Sequence, residues 1–595
     1  MLRNNLIIAW RNLMRHRLHT AINLAGLGLG MAFCLLAWRF ASQEWSFDRF
    51  HSNADRIYRV YAEFMGSKGQ VRYADRIDLA FAPELEALSP HVEHTVRLNA
   101  SWYRTRVVRT TFEGNSRDEE FLLVDPAFFE VFDFPLLRGD AATALAERNS
   151  VVLSYEMAQR LFGDADPLGQ RLTITSIVWK RPEDFTVTGV AAPVLRTSSI
   201  QFNMILPFDN TEFLLNDSPN AWEGYCNTFV LLAPGADPAD VGPALAQLTQ
   251  IWLQHWESKV PEALAEGASA FHLQPLTDMR SDTGLMPDYR HGVAEPRDPY
   301  VSYILVSIAL AVLLMGCINF VNLAIGRASL RAAEVGVRKA VGAGRGQLMR
   351  QFIGEAAVLS VVGLGAGCAL AALLLPAFNA TFSQELSLGL SEPGMLGSLG
   401  VLLLLVSLGA GWYPALVLSR LEPLSAIRRS VSMAGITRLS RVLVGVQLAI
   451  SVGLITCTLV MYHQLEHLIA RDLGIDQERV IAVDMEAIPD LSLEHPVLVE
   501  SFLRHSRIAS VTTLEDNFLE EPYAFAMDYR AETESGQETK VRPYIVDHNF
   551  VQTMNLELVR GRNFSLAQGD KQNLALISES AAARLGLADP IGEMI

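Results

Sequence analysis

Five long apolar stretches dominate the hydrophobic pattern of the 595-residue chain. None of them contains Asp, Glu, Lys or Arg, and they lie at Thr20–Trp38, Val301–Ile325, Ala356–Leu375, Met395–Ser419 and Val442–Tyr462. Each is close to the ~20 residues that an α-helix needs to cross the hydrocarbon core of a bilayer. The pattern predicts five transmembrane spans, at 18–42, 300–325, 356–376, 395–419 and 442–463.

Two long polar regions, 43–299 and 464–595, lie outside these spans. The first has helical patterns at Tyr155–Phe162 and Pro238–Ser258. It also has short β-rich runs that predict strands, at Arg56–Glu63, Arg104–Phe112, Ser150–Leu153, Arg171–Trp179, Asp184–Val190, Gln201–Pro207 and Cys226–Leu232. It is long enough to bury a core of its own. The sequence therefore predicts a membrane protein in which an α-helical transmembrane bundle carries α+β outer domains.

The second polar region repeats part of the first. LFGDADPLGQ at Leu161–Gln170 returns as LGLADPIGEM at Leu585–Met594, and Val124-Asp125 returns as Val546-Asp547. The offset between the copies stays within 422–424 over some 45 residues. Such a register predicts that the second region is an incomplete copy of the first domain, and that the parent chain continues beyond Ile595.

The basic residues predict an orientation. Three segments, 1–17, 326–355 and 420–441, hold 15 of the 49 lysines and arginines but 3 of the 65 acidic residues. The short loop 377–394 holds no basic residue. The positive-inside rule places the three basic segments in the cytosol, the first of them as a basic amphipathic helix, and the polar regions outside.

The composition is typical of a membrane protein, and the charge distribution excludes one class of partner. Hydrophobic residues make up 50% of the chain and charged residues 19%, with a mean hydropathy of +0.20. The net charge of −16 resides in the outer regions, so nucleic acid is not an expected partner. Of five cysteines, Cys226 alone lies outside the spans, which predicts no intrachain disulfide in the outer regions. The first span is expected to be an uncleaved anchor, the alternative being a signal peptide.

Two patterns resemble catalytic or nucleotide-binding motifs. Gly342–Gly346 is glycine-rich, but it lacks the Gly-Lys-Ser/Thr ending of a phosphate loop, so this chain is not expected to bind ATP. His463 and His467 fit H-x-x-E-H, which leaves a membrane zinc protease as a remote alternative, although a third ligand is not identifiable. We predict no catalytic residue and no metal site, with solvated histidines at a helix end as the preferred interpretation.

The spans themselves carry residues typical of close helix packing. Glycines four residues apart in the first and third spans allow backbones to approach, and two asparagines in the second span should face protein partners. Ordinary glycine abundance in membrane helices is the alternative. The predicted packing residues are Gly26, Gly30, Asn319, Asn322, Gly363 and Gly367.

The loop between the second and third spans is basic and punctuated by glycines. Its valines at 335, 337 and 341, with Leu348 and Phe352, are predicted to form an apolar stripe. Considered alone, the loop is equally consistent with an interfacial helix that lies on the inner surface of the membrane.

Motifs across the chain closely resemble the FtsX-like permease subunits of ABC transporters, the MacB superfamily. The most specific are CINFVNLA at 317–324, EVGVRKAVGA at 334–343 and QFIGEA at 351–356. Further matches are AWRNLMRHR, EWSFDRFHSNADRIYRV, GWYPALVLSRLEPLSAIR and VGVQLAISVGLI. The resemblance implies a MacB-type periplasmic core and a duplicated arrangement of spans in the bacterial inner membrane.

The resemblance also implies a function and partners. The loop would hold a coupling helix that docks on a separate cytosolic ATPase dimer, which would bind ATP and Mg²⁺. Its expected contact residues are Glu334, Gly336, Arg338, Lys339, Gly342 and Ala343. ATP hydrolysis would move the periplasmic domains and drive export by mechanotransmission, with a periplasmic adaptor and an outer-membrane channel as further expected partners. A permease that signals to an envelope enzyme is the alternative.

Overall fold

The computed structural model divides into two compact units, Met1–Ser46 with Asp298–Arg471, and Phe47–Arg297 with Asp472–Ile595. We call them the helical unit and the outer unit. The residues that the structure describes are 17–65, 71–99, 108–112, 115–119, 121–175, 182–210, 225–256, 270–285, 293, 296–326, 335–382, 384–420, 434–469, 479–483, 491–514, 529–532, 538–541, 544–565 and 574–593. The predicted amphipathic helix at the N-terminus lies outside them, except for its last residue.

The labelled helices are, in chain order, α1 (Arg17–Glu44), α2 (Phe81–Leu88), α3 (Phe128–Val131), α4 (Tyr155–Phe162), α5 (Gly242–Trp256), α6 (Pro299–Gly326), α7 (Arg345–Phe382), α8 (Pro393–Arg420), α9 (Ala434–Ile469), α10 (Leu491–Leu503), α11 (Phe550–Thr553) and α12 (Glu579–Arg584). Five of them, α1 and α6 to α9, are long and apolar enough to cross a membrane. The predicted transmembrane bundle of five spans is thereby confirmed.

The loops that flank the third span are shorter than predicted. Helix α7 begins at Arg345, within the predicted loop 326–355, and continues through Pro376 to Phe382, within the predicted loop 377–394. In the last turn of α7, the Asn379 side chain accepts a 3.1 Å hydrogen bond from the Leu386 N–H and donates a 3.0 Å bond to the Leu386 carbonyl. These bonds turn the chain toward α8 without a long connection.

The strands are β1 (Ile57–Met65), β2 (Val71–Ala74), β3 (Ile77–Asp78), β4 (Val92–Asn99), β5 (Val108–Phe112), β6 (Asn115–Glu119), β7 (Phe121–Val124), β8 (Leu136–Arg138), β9 (Ser150–Ser154), β10 (Arg171–Thr175), β11 (Glu183–Ala191), β12 (Met204–Pro207), β13 (Tyr225–Leu232), β14 (Ala270–Pro275), β15 (Tyr529–Glu532) and β16 (Glu538–Val541). All but the last two form one mixed sheet in the order β14-β1-β13-β4-β7-β12-β9-β11-β10-β5-β6, with β2, β3 and β8 paired to its side.

Helices cover this sheet and bury its apolar positions. At the β14 end, α2 and α5 pack on β14, β13 and β4 around buried side chains that include Phe81, Leu248 and Phe271. Further along, α4 packs on β9 and β11, and Met157 and Phe185 are fully buried there. The outer domain is therefore α+β, as predicted, with its own hydrophobic core.

Local structure recurs in both polar regions at the offset of the sequence repeat. The Ser154 hydroxyl caps α4 by accepting a 3.1 Å hydrogen bond from the Met157 N–H, and Ser578 caps α12 through a 3.2 Å bond from the Ala581 N–H. Side-chain oxygens of serine satisfy N–H groups that a helix start leaves open. Equivalent serines thus begin equivalent helices.

An ion pair and two glycine turns recur as well. Arg138 lies 2.6 Å from Asp166 in the first region, and Arg560 lies 3.9 Å from Asp589 in the second. The glycines that share a positive φ are Gly139 and Gly561, at 89° and 84°, and Gly169 and Gly592, at 75° and 87°. That the whole region 464–595 adopts the first domain's fold stays a prediction.

Candidate coupling site and the helix packing behind it

The segment 335–344 between α6 and α7, here called the coupling segment, is a short helix that ends in a capped turn. Residues 335–340 are helical. The Ala343 N–H then donates a 2.9 Å hydrogen bond to the Arg338 carbonyl, and the Gly342 N–H donates a 3.0 Å bond to the Lys339 carbonyl. This pair of bonds is the Schellman motif, which stops a helix at a residue with a left-handed backbone.

Gly342 occupies that left-handed position, with a φ of +98°. A Cβ atom added to Gly342 would meet nothing within 4 Å, so its backbone angle, and not space, favours glycine here. Gly344 is equally open, but its φ is not positive. The turn therefore explains why the motif EVGVRKAVGA has a glycine at 342.

The predicted apolar stripe along this loop is wrong. Val335 and Leu348 are buried, with exposed fractions of 2% and 1%, whereas Val337 and Val341 are 56% and 84% exposed. The stripe assumed one continuous helix, but the chain turns at Gly342 and its two sides belong to different helices. The segment is thus anchored on one side and presents two valines to its surroundings on the other.

A polar contact also ties the segment to α7. The Arg338 guanidinium donates a short hydrogen bond to the Gln351 Oε1 atom, and the Gln351 Nε2 atom donates a 3.2 Å bond to Glu355. Since both partners lie on α7, the segment and this helix form a connected pair. Of the other predicted coupling residues, Gly336 is buried, Lys339 and Ala343 are half-buried, and Glu334 lies outside the described residues.

Close backbone contact joins α1 to α6. A Cβ atom on Gly30 would lie 2.8 Å from the Leu313 Cα atom, and one on Gly316 would lie 2.9 Å from the Gly26 carbonyl oxygen. Both neighbours are backbone atoms, so no flexible side chain could move aside, and a side chain at either glycine would force the two helices to shift. A Cβ on Gly26 would instead sit at ordinary distances, 3.8 Å from Gly316 and 3.9 Å from the Asn319 Nδ2 atom.

The opposite face of α1 packs on α7. A Cβ atom on Gly367 would lie 3.0 Å from the Met31 Cβ atom and 3.1 Å from the Gly28 carbonyl oxygen. A Cβ on Gly363 would lie 3.5 Å from the Leu27 Cβ atom. Residue 28 is about 200° around the helix from residue 26. Gly26 and Gly30 therefore contact α6, whereas Gly28 contacts α7 on the opposite face.

The remaining spans attach to these three. Helix α8 packs on α7, where a Cβ on Gly411 would lie 2.8 Å from the Ala356 Cβ atom. Helix α9 contacts α6, and the Ser440 hydroxyl donates a 3.0 Å hydrogen bond to the Asn322 Oδ1 atom. Asn322, like Asn319, therefore contacts a neighbouring helix.

Three packing residues were not among those predicted. Gly28 was passed over because it breaks the four-residue spacing of Gly26 and Gly30, although its position on the opposite face was readable from the helical period. Gly316 and Gly411 have no partner glycine at that spacing in their own helices. Their packing roles depend on which helix lies beside them, and a single sequence does not identify that neighbour.

Polar contacts hold α1 at the other end of the bundle. The Arg39 Nε atom donates a 2.8 Å hydrogen bond to the Ser387 carbonyl, and its guanidinium lies 3.6 Å from Glu392. The Gln43 amide donates a 3.2 Å bond to Gln384. The turn between α7 and α8 is thereby bound to the end of α1 that leads to the outer unit.

The segment FDRFH at 47–51 opens the outer unit and contains two buried ionisable groups, Asp48 and His51. Asp48 has a φ of 57° and accepts a 2.7 Å hydrogen bond from the Ser199 N–H. Burial raises its pKa to about 6, although the Ser199 bonds and Arg280 act in the opposite direction. Burial lowers the pKa of His51 to about 4, against the influence of Asp133, whose N–H donates a 3.0 Å bond to the His51 Nδ1 atom. Both groups are therefore neutral between these two pKa values.

His463 and His467 lie near the end of α9. His463 is 3.4 Å from Glu466, and its side chain is 72% exposed. Within the described parts of the chain, no group of three His, Cys, Asp or Glu side chains could hold a metal ion.

A bundle of apolar helices with a large α+β domain inserted after its first span is the architecture of a multi-pass membrane protein. Two family models match, the MacB-like periplasmic core domain at residues 20–248 and the FtsX-like permease C-terminal domain at residues 306–423. The chain belongs to the MacB/FtsX-like permease family of ABC transporters. The recognition from the coupling and span motifs is confirmed.

Curated relatives include the pyoverdine export ATP-binding/permease protein PvdT of Pseudomonas aeruginosa, which is 26% identical over 437 residues. The protein of the same name from Pseudomonas syringae pv. tomato is 26% identical over 432 residues. Both alignments cover 70% of this chain and 58% of the relative. The chain thus spans less than two thirds of the length of these relatives.

Solved structures with some similarity include the following two. A permease domain from Porphyromonas gingivalis is 22% identical, with a TM-score of 0.32, and the match covers 43% of this chain and 98% of that domain. The periplasmic region of MacB from Actinobacillus actinomycetemcomitans is 16% identical, with a TM-score of 0.24, and the match covers 36% of this chain and 88% of that region.

Proposed function

We propose that this chain is the transmembrane subunit of an ABC transporter and that its coupling segment docks on a separate cytosolic ATPase. The observation that carries the proposal is the pair Val337 and Val341, which lie one turn apart and are exposed beside Arg338 and Lys339. Apolar residues at this spacing are typical anchors of a helix that enters a groove on a partner. Neighbouring basic residues would pair with acidic groups at the rim of such a groove.

The contacts behind the segment support transmission of motion. A displacement of the segment would act on α7 through Arg338 and Gln351 and through the buried Val335 and Leu348. It would then reach α1 through the close contact at Gly367, because well-packed helices move as bodies and do not deform continuously. Helix α1 is continuous in sequence with the outer unit, so a displacement of α1 would move the outer unit.

Export by mechanotransmission is the function that these features favour. The five apolar stretches contain no charged residue, which disfavours a polar path through the spans. The relatives are named as export proteins that combine ATP-binding and permease parts, whereas Gly342–Gly346 here lacks the lysine and hydroxyl of a phosphate loop. ATP and Mg²⁺ would therefore bind to the partner ATPase.

The proposed setting is the bacterial inner membrane. The three basic segments would lie in the cytosol and the outer unit in the periplasm. A periplasmic adaptor and an outer-membrane channel would complete an export path across the envelope. The substrate is left open, since pyoverdine is named for the relatives only.

Co-purification of the tagged permease with its ATPase tests the proposal. Changing Val337→Asp together with Arg338→Glu puts charge on the exposed apolar pair and reverses a neighbouring charge. Loss of a charged contact in an interface costs ~2–5 kcal/mol. We expect the double variant to retain less than about a tenth of the bound ATPase at equal membrane levels.

Leu390→Asp is the matched control. Leu390 is 42% exposed and lies between α7 and α8, at the end of these helices away from the coupling segment. This variant should bind the ATPase normally. Normal binding and ATP-dependent activity of the double variant would contradict the proposal and favour an interfacial helix.

A further inference from the structure

A groove of about 400 Å³ lies in the outer unit between α5 and the edge strand β14. Helix α5 lines it with Gly242, Leu245, Ala246 and Thr249, whose spacing of three, four and seven residues places them on one face. Strand β14 lines it with the four consecutive residues Ala270–Leu273. A helix face and a strand form two of its walls, and Tyr61 of β1 with Pro238 and Ala239 completes the lining.

The strand turns its edge, and not one of its faces, toward the groove. Successive side chains of a strand point to opposite faces, so four consecutive residues can line one cavity only along the strand's edge. Among the described strands, β14 pairs only with β1, with Tyr61 opposite His272. The other edge of β14 therefore offers N–H and C=O groups, which are a template for a further strand.

Small residues keep the groove open. Gly242 and Ala246 of the helix and Ala270 of the strand all line it, and a Cβ atom added to Gly242 would meet nothing within 4 Å. The four strand residues span roughly 14 Å, enough to pair with four or five residues of an extended chain. Every second side chain of such a chain would point toward α5.

Carboxylates of described residues flank the groove. Asp237 and Asp240 adjoin its lining, and a capping box fixes them, with the Asp237 N–H donating a 2.9 Å hydrogen bond to Asp240. His272 lies 3.3 Å from the Glu63 carboxylate. Burial and the carboxylates of Asp237 and two other acids raise the pKa of nearby Tyr58. An occupant with basic residues would complement this rim.

We propose that an extended segment of a partner protein, in which apolar residues alternate with Lys or Arg, binds in this groove as an additional strand beside β14. Its apolar side chains would fill the space against α5 and its basic side chains would face the acidic rim. Backbone hydrogen bonds to a free strand edge supply affinity in this mode, and pockets for alternate side chains supply specificity. The binding does not depend on the ATPase-coupling proposal.

Fluorescence anisotropy of labelled hexapeptides tests the inference on the full chain in a neutral detergent, with empty micelles as the blank. The probes are (Val-Lys)₃, (Val-Glu)₃ and a (Val-Lys)₃ peptide that carries N-methyl groups on alternate amides. We expect saturable binding of (Val-Lys)₃, with the other two peptides at least tenfold weaker. N-methylation removes strand pairing and keeps the side chains, so it separates strand addition from simple charge attraction.

Variants of α5 locate the site. Ala246→Trp fills the groove from an exposed position and should weaken (Val-Lys)₃ binding at least tenfold, as should Gly242→Leu. Gln250→Trp, an equal substitution on the exposed side of the same helix, should change binding less than twofold. Unchanged thermal midpoints show that the variants are folded. Absence of saturable binding, equal binding of the methylated peptide, or normal binding by both groove variants would overturn the proposal.

Discussion

Gly30 and Gly26 lie one turn apart on α1 but differ in what a methyl group would meet. A Cβ on Gly30 would lie 2.8 Å from backbone of α6, whereas one on Gly26 would lie 3.8 Å away. Overpacking of a close contact costs ~1–3 kcal/mol. We expect Gly30→Ala to lower the free energy of unfolding in detergent by that amount, and Gly26→Ala by less than about 0.5 kcal/mol. Equal effects of the two substitutions would show that the helices are not in this contact.

Asp48 and His51 give a second prediction at the residue scale. The pKa of Asp48 is raised to about 6, so its stabilising effect is complete below its unfolded pKa, ~3.9, and is lost as the pH rises through 6. The pKa of His51 is lowered to about 4, so its stabilising effect is complete above ~6.5 and is lost as the pH falls through 4. Between pH 4 and 6, Asp48 makes stability fall with rising pH and His51 makes it rise, so the two contributions to the pH dependence cancel.

Substituting either Asp48 or His51 should reveal the pH dependence of stability that the other group contributes. Relative to the wild type, Asp48→Asn should make stability rise by ~1.4 kcal/mol per pH unit from pH 4 to 6, because His51 remains. His51→Gln should make it fall at a similar rate, because Asp48 remains. Denaturant unfolding at pH 4, 5 and 6, followed by tryptophan fluorescence, measures both slopes. Slopes of the same sign in the two variants would contradict the assigned shifts.

At the scale of elements, the Schellman turn fixes the direction in which the coupling segment meets α7. Gly342→Ala places a side chain on a left-handed residue, which costs ~1–2 kcal/mol. Gly344→Ala meets the same open space without that strain. We expect the first variant to reduce ATPase co-purification roughly fivefold or more and the second to leave it unchanged. If both variants bind normally, the turn has no part in coupling.

Several elements were readable from local sequence because local chemistry determines them. The β-branched and aromatic runs predicted strands that the structure places at β1, β9, β11 and β13, and α4 matches its predicted bounds. Strand β14, with the sequence AFHLQP, was missed because Ala, Gln and Pro are poor strand formers and long-range pairing with β1 stabilises it. The apolar stripe failed because its period did not account for the turn at Gly342.

At the scale of the whole molecule, the sequence could predict the class and the five spans, since length and apolarity alone define a membrane helix. It could not predict which helices pack together. Gly28 and Gly316 contact different neighbours, and those contacts depend on the shapes of both partners. The order of strands in the sheet, which brings β14 beside β1, likewise depends on pairing across more than 200 residues.

The central claim is that ATP use by a cytosolic partner moves the outer unit through the helical unit. Asp164 in the outer unit and Leu390 in the helical unit are both exposed and can carry spin labels. Pulsed electron–electron double resonance measures the distance between the two labels and would report this motion. The chain would have its five native cysteines replaced and would be reconstituted with its ATPase. We predict that trapping the ATPase with ATP and vanadate shifts the distance distribution in the wild type and leaves it unshifted in the Val337→Asp, Arg338→Glu variant. An unshifted wild-type distribution, or an equal shift in both proteins, would contradict the claim.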